Sequence, residues 1–296
     1  SIQEALLLQQ LEQLARCPLG EKIIGKKIPT SVDEFRRLVP ITTYEDYLPE
    51  LEPGSEHCLP EKPYTWAHTS GASGSFRRVP YTLEAYNRSL DNLMSVFVLA
   101  CSKNRGQSSI AAGDHVLFNV APRPYLSGIL ASGASEIFDL RPVIPPDMHD
   151  SMDFKEKVAK GFEVSLRTGM DILVAMTSVL VKTGNDFNRL SQRSRMSKHV
   201  FHPGELYRFG RAFLRSKLEK RSILPKDLWP VKALIGWGID TSIYKEVVYK
   251  NWGAYPYEFH ACTEAGIMAV QNWNRKGMTF IPVSYTHLRA HETSLH

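Results

Sequence analysis

The chain has 296 residues, 43% of them hydrophobic and 23% charged, with a formal net charge of +5. That balance fills a substantial core and argues against disorder; the mild positive charge suits anionic small molecules as well as it suits nucleic acid. The four cysteines, Cys17, Cys58, Cys101 and Cys262, form no C-x-x-C pair and no metal-ligand spacing, which favours free thiols in a reducing compartment over a disulfide framework.

Residues 1–16 form an amphipathic, glutamine-rich pattern with Leu7, Leu11 and Leu14 at helical spacing, without the basic start and apolar block of a signal peptide. This predicts a first helix ending near Pro18-Leu19-Gly20. "SVDE" at 31–34 has capping-box spacing and predicts a second, and "TYED" predicts another from Thr43. A polar connector at 52–63 leads to "YTWAHTS", which reads as a strand, and then to a loop, "HTSGASGSFRRVPYT". Residues 81–99 read as a helix with Leu90, Leu93, Val96, Phe97 and Leu99 near one face.

"DHVLFNVAP" reads as a buried strand, "YLSGILASGASEIF" as a helix leading to another strand, "KEKVAKGFEVSLRTG" as a helix and "MDILVAMTS" as a strand. Such alternation predicts an α/β domain with a largely parallel sheet. The most apolar run, "DILVAMTSVLV", is far short of the roughly 20 residues that cross a bilayer. A cytoplasmic protein with no membrane partner is the expectation. Residues 189–226 are the most basic; "GELYRFGRAFLRSKLEKR" sets Leu206, Phe209, Phe213 and Leu218 at helical spacing with cations between them, the pattern of a solvated helix face. "VKALIGWGID" then reads as a strand closing in a Gly-Trp-Gly turn.

Two stretches carry chemistry. In Thr69-Ser70-Gly71-Ala72-Ser73-Gly74 the glycines let the backbone approach an anion, and successive N–H groups can form a concave nest around it. Hydroxyls of Thr69, Ser70 and Ser73 add donors and Arg77 or Arg78 adds charge. Hydrogen bonds to a charged group contribute about 1.5–3 kcal/mol each, so several offset the ordering of the loop. The spacing is not G-x-x-x-x-G-K-[ST], which disfavours a nucleoside-triphosphatase P-loop, and the plain alternative is an exposed turn. The second stretch, "YPYEFHACTEAG", joins an aromatic strand to His260-Ala261-Cys262-Thr263-Glu264, where an α/β sheet places its ligand crevice.

Together these resemble the adenylate-forming superfamily: the first its T-S-G-T-T-G-x-P-K-G loop, the second its Tyr-Gly-x-Thr-Glu motif, with Gly236-Trp237-Gly238 in the place of its adenine-lining loop. "VPITTYEDYLPEL" and "RRVPYT" resemble the auxin-responsive acyl acid amido synthetase family, including its bacterial members, over about Leu11 to Pro282. The resemblance implies a large N-terminal adenylation domain, α/β with mostly parallel sheets flanked by helices. It implies ATP and Mg²⁺ as cofactors, and as partners a small carboxylic acid and an amine or CoA.

It implies that Thr69, Ser70, Gly71, Ala72, Ser73 and Gly74 cradle ATP phosphates, with Arg77 or Arg78 in the approximate place of the usual lysine. Gly236, Trp237 and Gly238 would border adenine, with His260 at the ring position that stacks on it and Ala261 for the small glycine. Thr263 would contact the α-phosphate, Glu264 would hold Mg²⁺, and Tyr125, Ser127 and Gly128 lie where relatives line the acyl pocket. The implied reaction activates the acid as an acyl-adenylate, then transfers it to an amine.

Ala72 for threonine and His260 for tyrosine depart from the pattern. "VSYTHLRAHETSLH" at 283–296 fits no periodicity and resembles a translated adapter, so residues 1–282 are expected to be an N-terminal domain incomplete at its C-terminus. The ribose-binding aspartate and the lysine-bearing C-terminal domain would follow, and the chain alone is expected to be inactive. Alternatives are an acyl-CoA ligase of the phenylacetate type, a non-catalytic nucleotide- or acyl-binding relative, and an RNA-binding protein built on residues 189–226, which lacks a recognition motif. His68 reads as a satisfied strand residue. Asp114 and His115, neighbours on a strand, point to opposite faces. Cys262 lacks an evident activator beyond His260.

Overall fold

The computed structural model describes residues 2–69, 76–193, 202–238, 241–272 and 277–281, with 188–193 described by backbone alone. The chain divides into two units, residues 1–89 with 261–268 and 280–296, and residues 90–260 with 269–279.

The first unit opens with three short helices, α1 (Ile2–Leu14), α2 (Pro18–Ile24) and α3 (Val32–Leu38). Pro18 starts a helix rather than ending one. It sits in the first turn of α2, where a missing N–H costs nothing, and Cys17 Sγ accepts the Gly20 N–H at 3.4 Å. A Cβ on Gly20 would fall 1.6 Å from the Leu14 carbonyl oxygen, so glycine is what allows the two helices to abut. The cap predicted at Ser31 is present, its Oγ accepting the Glu34 N–H at 3.2 Å. Thr43 likewise donates its N–H to Asp46 at 2.7 Å, ahead of a 3-10 turn (Tyr44–Tyr47) and α4 (Leu48–Leu51). Leu7, Leu11 and Ile24 form one apolar cluster; Cys17, Leu19, Leu51 and Leu59 form another under Tyr44, Tyr47 and Trp66.

A two-stranded antiparallel sheet follows, β1 (Thr65–His68) with β2 (Arg78–Tyr81), in the register Thr65↔Tyr81 and His68↔Arg78. The helix expected from residue 81 therefore begins later. Tyr81 belongs to β2, Thr82 caps the next helix by accepting the Ala85 N–H at 3.1 Å, and α5 runs Leu83–Ala100.

In the second unit β3 (His115–Asn119), α6 (Leu126–Ile137), β4 (Arg141–Pro142), α7 (Pro146–Ser151), α8 (Phe154–Thr168), β5 (Ile172–Met176) and α9 (Thr177–Arg193) follow in turn. Then come α10 (Pro203–Leu218), α11 (Pro225–Leu228), β6 (Ala233–Trp237), α12 (Lys245–Trp252), β7 (Pro256–Cys262), β8 (Gly266–Gln271) and β9 (Met278–Phe280). The sheet order is β4-β3-β5-β6-β7-β8-β9, with β4, β3, β5, β6 and β7 parallel. Ala261 and Cys262 of β7 and the start of β8 belong to the first unit.

Helices on both faces bury nearly every position of β3, β5 and β6, which is why these strands read as unbroken apolar runs. Leu117, Leu173 and Leu234 pack with Leu180, Trp229, Val248 and Trp252. The two indoles are satisfied, Trp229 donating to the Ser165 carbonyl and Trp252 to the Leu180 carbonyl, each at 3.0 Å.

α10 is turned differently from the expected arrangement. Its buried positions are Glu205 and Ala212, while Leu206, Phe213 and Leu218 are exposed. Two of its arginines, Arg208 and Arg211, point inward instead. Arg208 donates to the Leu166 and Arg167 carbonyls at the end of α8, and Arg211 to the Asp227 and Leu228 carbonyls. Cations there satisfy helix-end oxygens and oppose the negative end of the dipole. These basic residues therefore serve the fold.

Candidate functional site

The sequence-predicted loop is closed by the first unit's hairpin. Thr69 follows β1 directly and its N–H donates to the Arg77 carbonyl at 3.0 Å, while the Arg77 N–H reaches Thr69 Oγ1 at 3.3 Å. Ser70, Gly71, Ala72, Ser73 and Gly74 lie outside the described residues. The two cations sit at the hairpin's base. Arg77 Nη2 lies 3.3 Å from Glu45 and its guanidinium 5.2 Å from the Tyr44 ring centre; the Arg78 guanidinium lies 4.3 Å over Trp66. Tyr44 accepts the Arg78 N–H at 2.8 Å and donates to its carbonyl at 3.1 Å, fixing the start of β2. His68 is a half-buried strand residue stacked on Phe76.

The Thr-Glu turn belongs to the same unit. Ala261 and Cys262 end β7, Thr263 and Glu264 form the turn, and Gly266 begins β8 with φ +67. The Tyr81 hydroxyl, at the far end of the strand that leaves the loop, donates to the Thr263 carbonyl at 2.6 Å across 182 residues of sequence. Glu264 is exposed. Burial, with Glu264 nearby, pushes the Cys262 thiol up, so it stays protonated and poorly nucleophilic near neutrality. Among the described residues no three His, Cys, Asp or Glu side chains gather as a metal cage. One exposed carboxylate on a turn suits a hard cation such as Mg²⁺, which keeps waters and binds through one or two carboxylates plus phosphate oxygens.

In the second unit, Gly236 and Trp237 end β6 and Gly238 follows with φ +112. The register Gly236↔Glu258 brings Trp237 level with Phe259, the rings 5.5 Å apart, and the exposed His260 is next along β7. These residues occupy the carboxyl ends of parallel strands, where open α/β sheets bind ligands. A Cβ on Gly236 would lie 3.2 Å from Thr177 Oγ1. That hydroxyl pairs with Thr241 at 2.7 Å, pinning the segment beyond the turn to the start of α9.

Tyr125 precedes α6, after a cis Arg123–Pro124 bond, and Ser127 and Gly128 lie in the helix's first turn. The loop carrying Tyr125 is braced from α7 and α8: Arg123 binds Asp150 through its backbone N–H at 3.0 Å and its Nε at 2.6 Å, and the fully buried Lys157 donates to the Val120 carbonyl at 3.2 Å. β4 is too short to pair with this end of β3, so a side chain supplies the donor. Burial pushes the Lys157 ammonium below its usual range. Neighbouring Asn119 is fully buried with neither amide atom partnered. Asp114 binds Lys232 at 2.6 Å whereas His115 faces Asp171 at 3.8 Å, so the adjacent pair has separate partners.

Sequence reasoning missed Tyr81, Thr177 and Lys157. Tyr81 stood at the end of the quoted loop and was assigned to the next helix.

Residues 1–138 match the family model described as "GH3 family N-terminal domain". The matched region holds Thr69, Arg77, Arg78, Tyr81, Tyr125, Ser127 and Gly128, and ends before Gly236, His260 and Glu264. No curated protein sequence matches the chain. Among solved structures, AtGH3.15 acyl acid amido synthetase in complex with 2,4-DB is similar with a TM-score of 0.63 at 16% identity, covering 96% of this chain and 57% of that one. An open conformation of 2-hydroxyisobutyryl-CoA ligase, in complex with 2-HIB-AMP and CoA, is similar with a TM-score of 0.56 at 13% identity, covering 93% and 56%. The fold, helices around a mostly parallel sheet, is that of adenylate-forming enzymes. The chain spans a little over half the length of these structures.

Proposed function

We propose that this chain is the nucleotide-binding part of an ATP-dependent acyl acid amido synthetase. The supporting observation is the Tyr81–Thr263 hydrogen bond, which holds the hairpin that closes the Gly/Ser loop and the Thr-Glu turn in one unit. In this reading Thr69 to Gly74 bind the ATP phosphates, with Arg77 and Arg78 adding positive charge at the loop's base. Glu264 holds Mg²⁺, which neutralises phosphate charge when bound, and Thr263 contacts the α-phosphate. Gly236, Trp237, Gly238, His260 and Ala261 border the adenine, and Tyr125, Ser127 and Gly128 the acid.

The chemistry is attack of the acid's carboxylate on the α-phosphorus, releasing pyrophosphate and forming an acyl-adenylate from which an amine displaces AMP. These residues contribute by orienting the reactants and by aiming donors at developing charge. The likeness to an acyl acid amido synthetase supports an amine as acceptor. The likeness to a CoA ligase supports a second reading, thioester formation after the same first step. The protein is proposed to act in the cytoplasm. Among the described residues no helix is long and apolar enough to cross a membrane.

The test is carboxylate-dependent exchange of labelled pyrophosphate into ATP by a chain extended to the relatives' full length. Supplying amino acids or CoA then separates amide from thioester product. Exchange without added acid, or none with any acid, defeats the proposal. The 296 residues alone are proposed to bind nucleotide without turning over, and pyrophosphate release by them would refute that part.

A further inference from the structure

We infer that the Tyr81 hydroxyl is a positioning residue for the Thr263–Glu264 turn, setting it against the phosphate hairpin so that nucleotide binding depends on Mg²⁺. This rests on the nucleotide reading above. The hydroxyl donates to the Thr263 carbonyl at 2.6 Å, and Gly266 and Ser89 lie beside the same phenol. That bond ties the start of the turn that presents Glu264 to β2.

The surroundings leave that oxygen no freedom. Tyr81 is 4% exposed and Ser89 6% exposed. Gly266 has φ +67, and a Cβ there would fall 2.6 Å from Ser89 Oγ and 3.8 Å from the Tyr81 oxygen. Glycine at this position lets the turn close onto the phenol. At its other end the β1–β2 pairing holds Tyr81 opposite Thr65, and β2 begins just past Arg77 at the loop's base. Burial pushes the phenol up, so it keeps its proton and remains a donor across the range in which the protein would work. Glu264 is one residue past the tied carbonyl and two before Gly266. Losing the hydroxyl frees that tie.

The experiment is ATP titration of the 296-residue chain by calorimetry, once with excess Mg²⁺ and once with EDTA, for the native protein and Tyr81→Phe. The native chain is expected to bind ATP at least tenfold more tightly with Mg²⁺. Tyr81→Phe is expected to match it within twofold in EDTA and to lose most of the Mg²⁺ enhancement. A merely structural role would weaken both arms alike, so the ratio separates the two. Ser89→Ala, which keeps the phenol and removes its neighbour, is expected to give an intermediate ratio and decides the matter if Tyr81→Phe does not fold.

Full enhancement in both variants, or equal weakening in both arms, overturns the inference. Native binding with no Mg²⁺ dependence also overturns it while leaving the loop assignment standing. Failure of the native chain to bind ATP at all removes the nucleotide reading itself.

Discussion

Gly128→Ala is expected to destabilise the chain although it places the best helix former in a helix. Exchanging glycine for alanine inside a helix ordinarily stabilises by about 0.5–1 kcal/mol, because the unfolded chain has less freedom to lose. Here an added Cβ would lie 2.6 Å from the Arg123 nitrogen, 2.6 Å from the Pro122 carbonyl carbon and 2.7 Å from the Ala121 oxygen. Non-bonded carbon contacts are comfortable at about 3.5–4.0 Å, so α6 or the 121–123 loop must move by roughly 1 Å. Both are backbone, and the loop is held by Asp150 and Lys157. Overpacking of this kind costs about 1–3 kcal/mol and outweighs the propensity gain, leaving a net loss of about 1–2 kcal/mol. Gly210→Ala in α10 is the internal contrast. Nothing lies within 4 Å of its Cβ, so it should stabilise by about 0.5–1 kcal/mol. Urea midpoints at constant m-value measure both. A midpoint for Gly128→Ala at or above that of the native chain would refute the reasoning.

Asp227→Asn removes the buried partner of Arg221, which it holds through two bonds at 2.6 and 2.8 Å. Because Arg221 is partly exposed and can rehydrate, the loss should be about 1–3 kcal/mol rather than the full cost of a buried unpaired charge, read again from urea midpoints. Burial alone would raise the Asp227 pKa, but Arg221 and the Leu224 N–H hold it below its usual range. Its contribution is therefore complete above the unfolded carboxylate pKa near 4 and fades as pH falls through the lower folded value, so the two proteins should converge in stability in acid. Thiol titration of the native protein near pH 7.5 should give one fast-reacting cysteine, Cys58. Cys17 and Cys101 are buried, Cys101 with its thiol pushed up to about 12 first by burial, and Cys262 is kept protonated. A second fast thiol would contradict the described packing.

The parallel sheet was legible because its strands are buried on both faces, leaving short apolar runs between amphipathic helices. Caps at Ser31 and Thr43 were legible because a capping side chain acts on residues three positions away. What the sequence concealed depends on distant partners. Arg208 and Arg211 read as solvated because no local pattern tells a surface cation from one that ends another helix's carbonyls. Lys157 gives no sign that it serves the edge of β3, since that need arises from the shortness of β4. The Thr-Glu turn was found by resemblance, but the tyrosine that holds it lies 182 residues away, and only the folded chain brings them together.

The central claim is that the hairpin loop and Glu264 bind one triphosphate and its metal. A crystal structure of the chain grown with ATP and Mg²⁺ tests this most directly. The account predicts phosphates against the backbone N–H groups of residues 69–74, and a Mg²⁺ ion shared between them and the Glu264 carboxylate at about 2.0–2.1 Å. Nucleotide bound elsewhere, or phosphates in the loop with Glu264 turned away and no metal beside it, would contradict it.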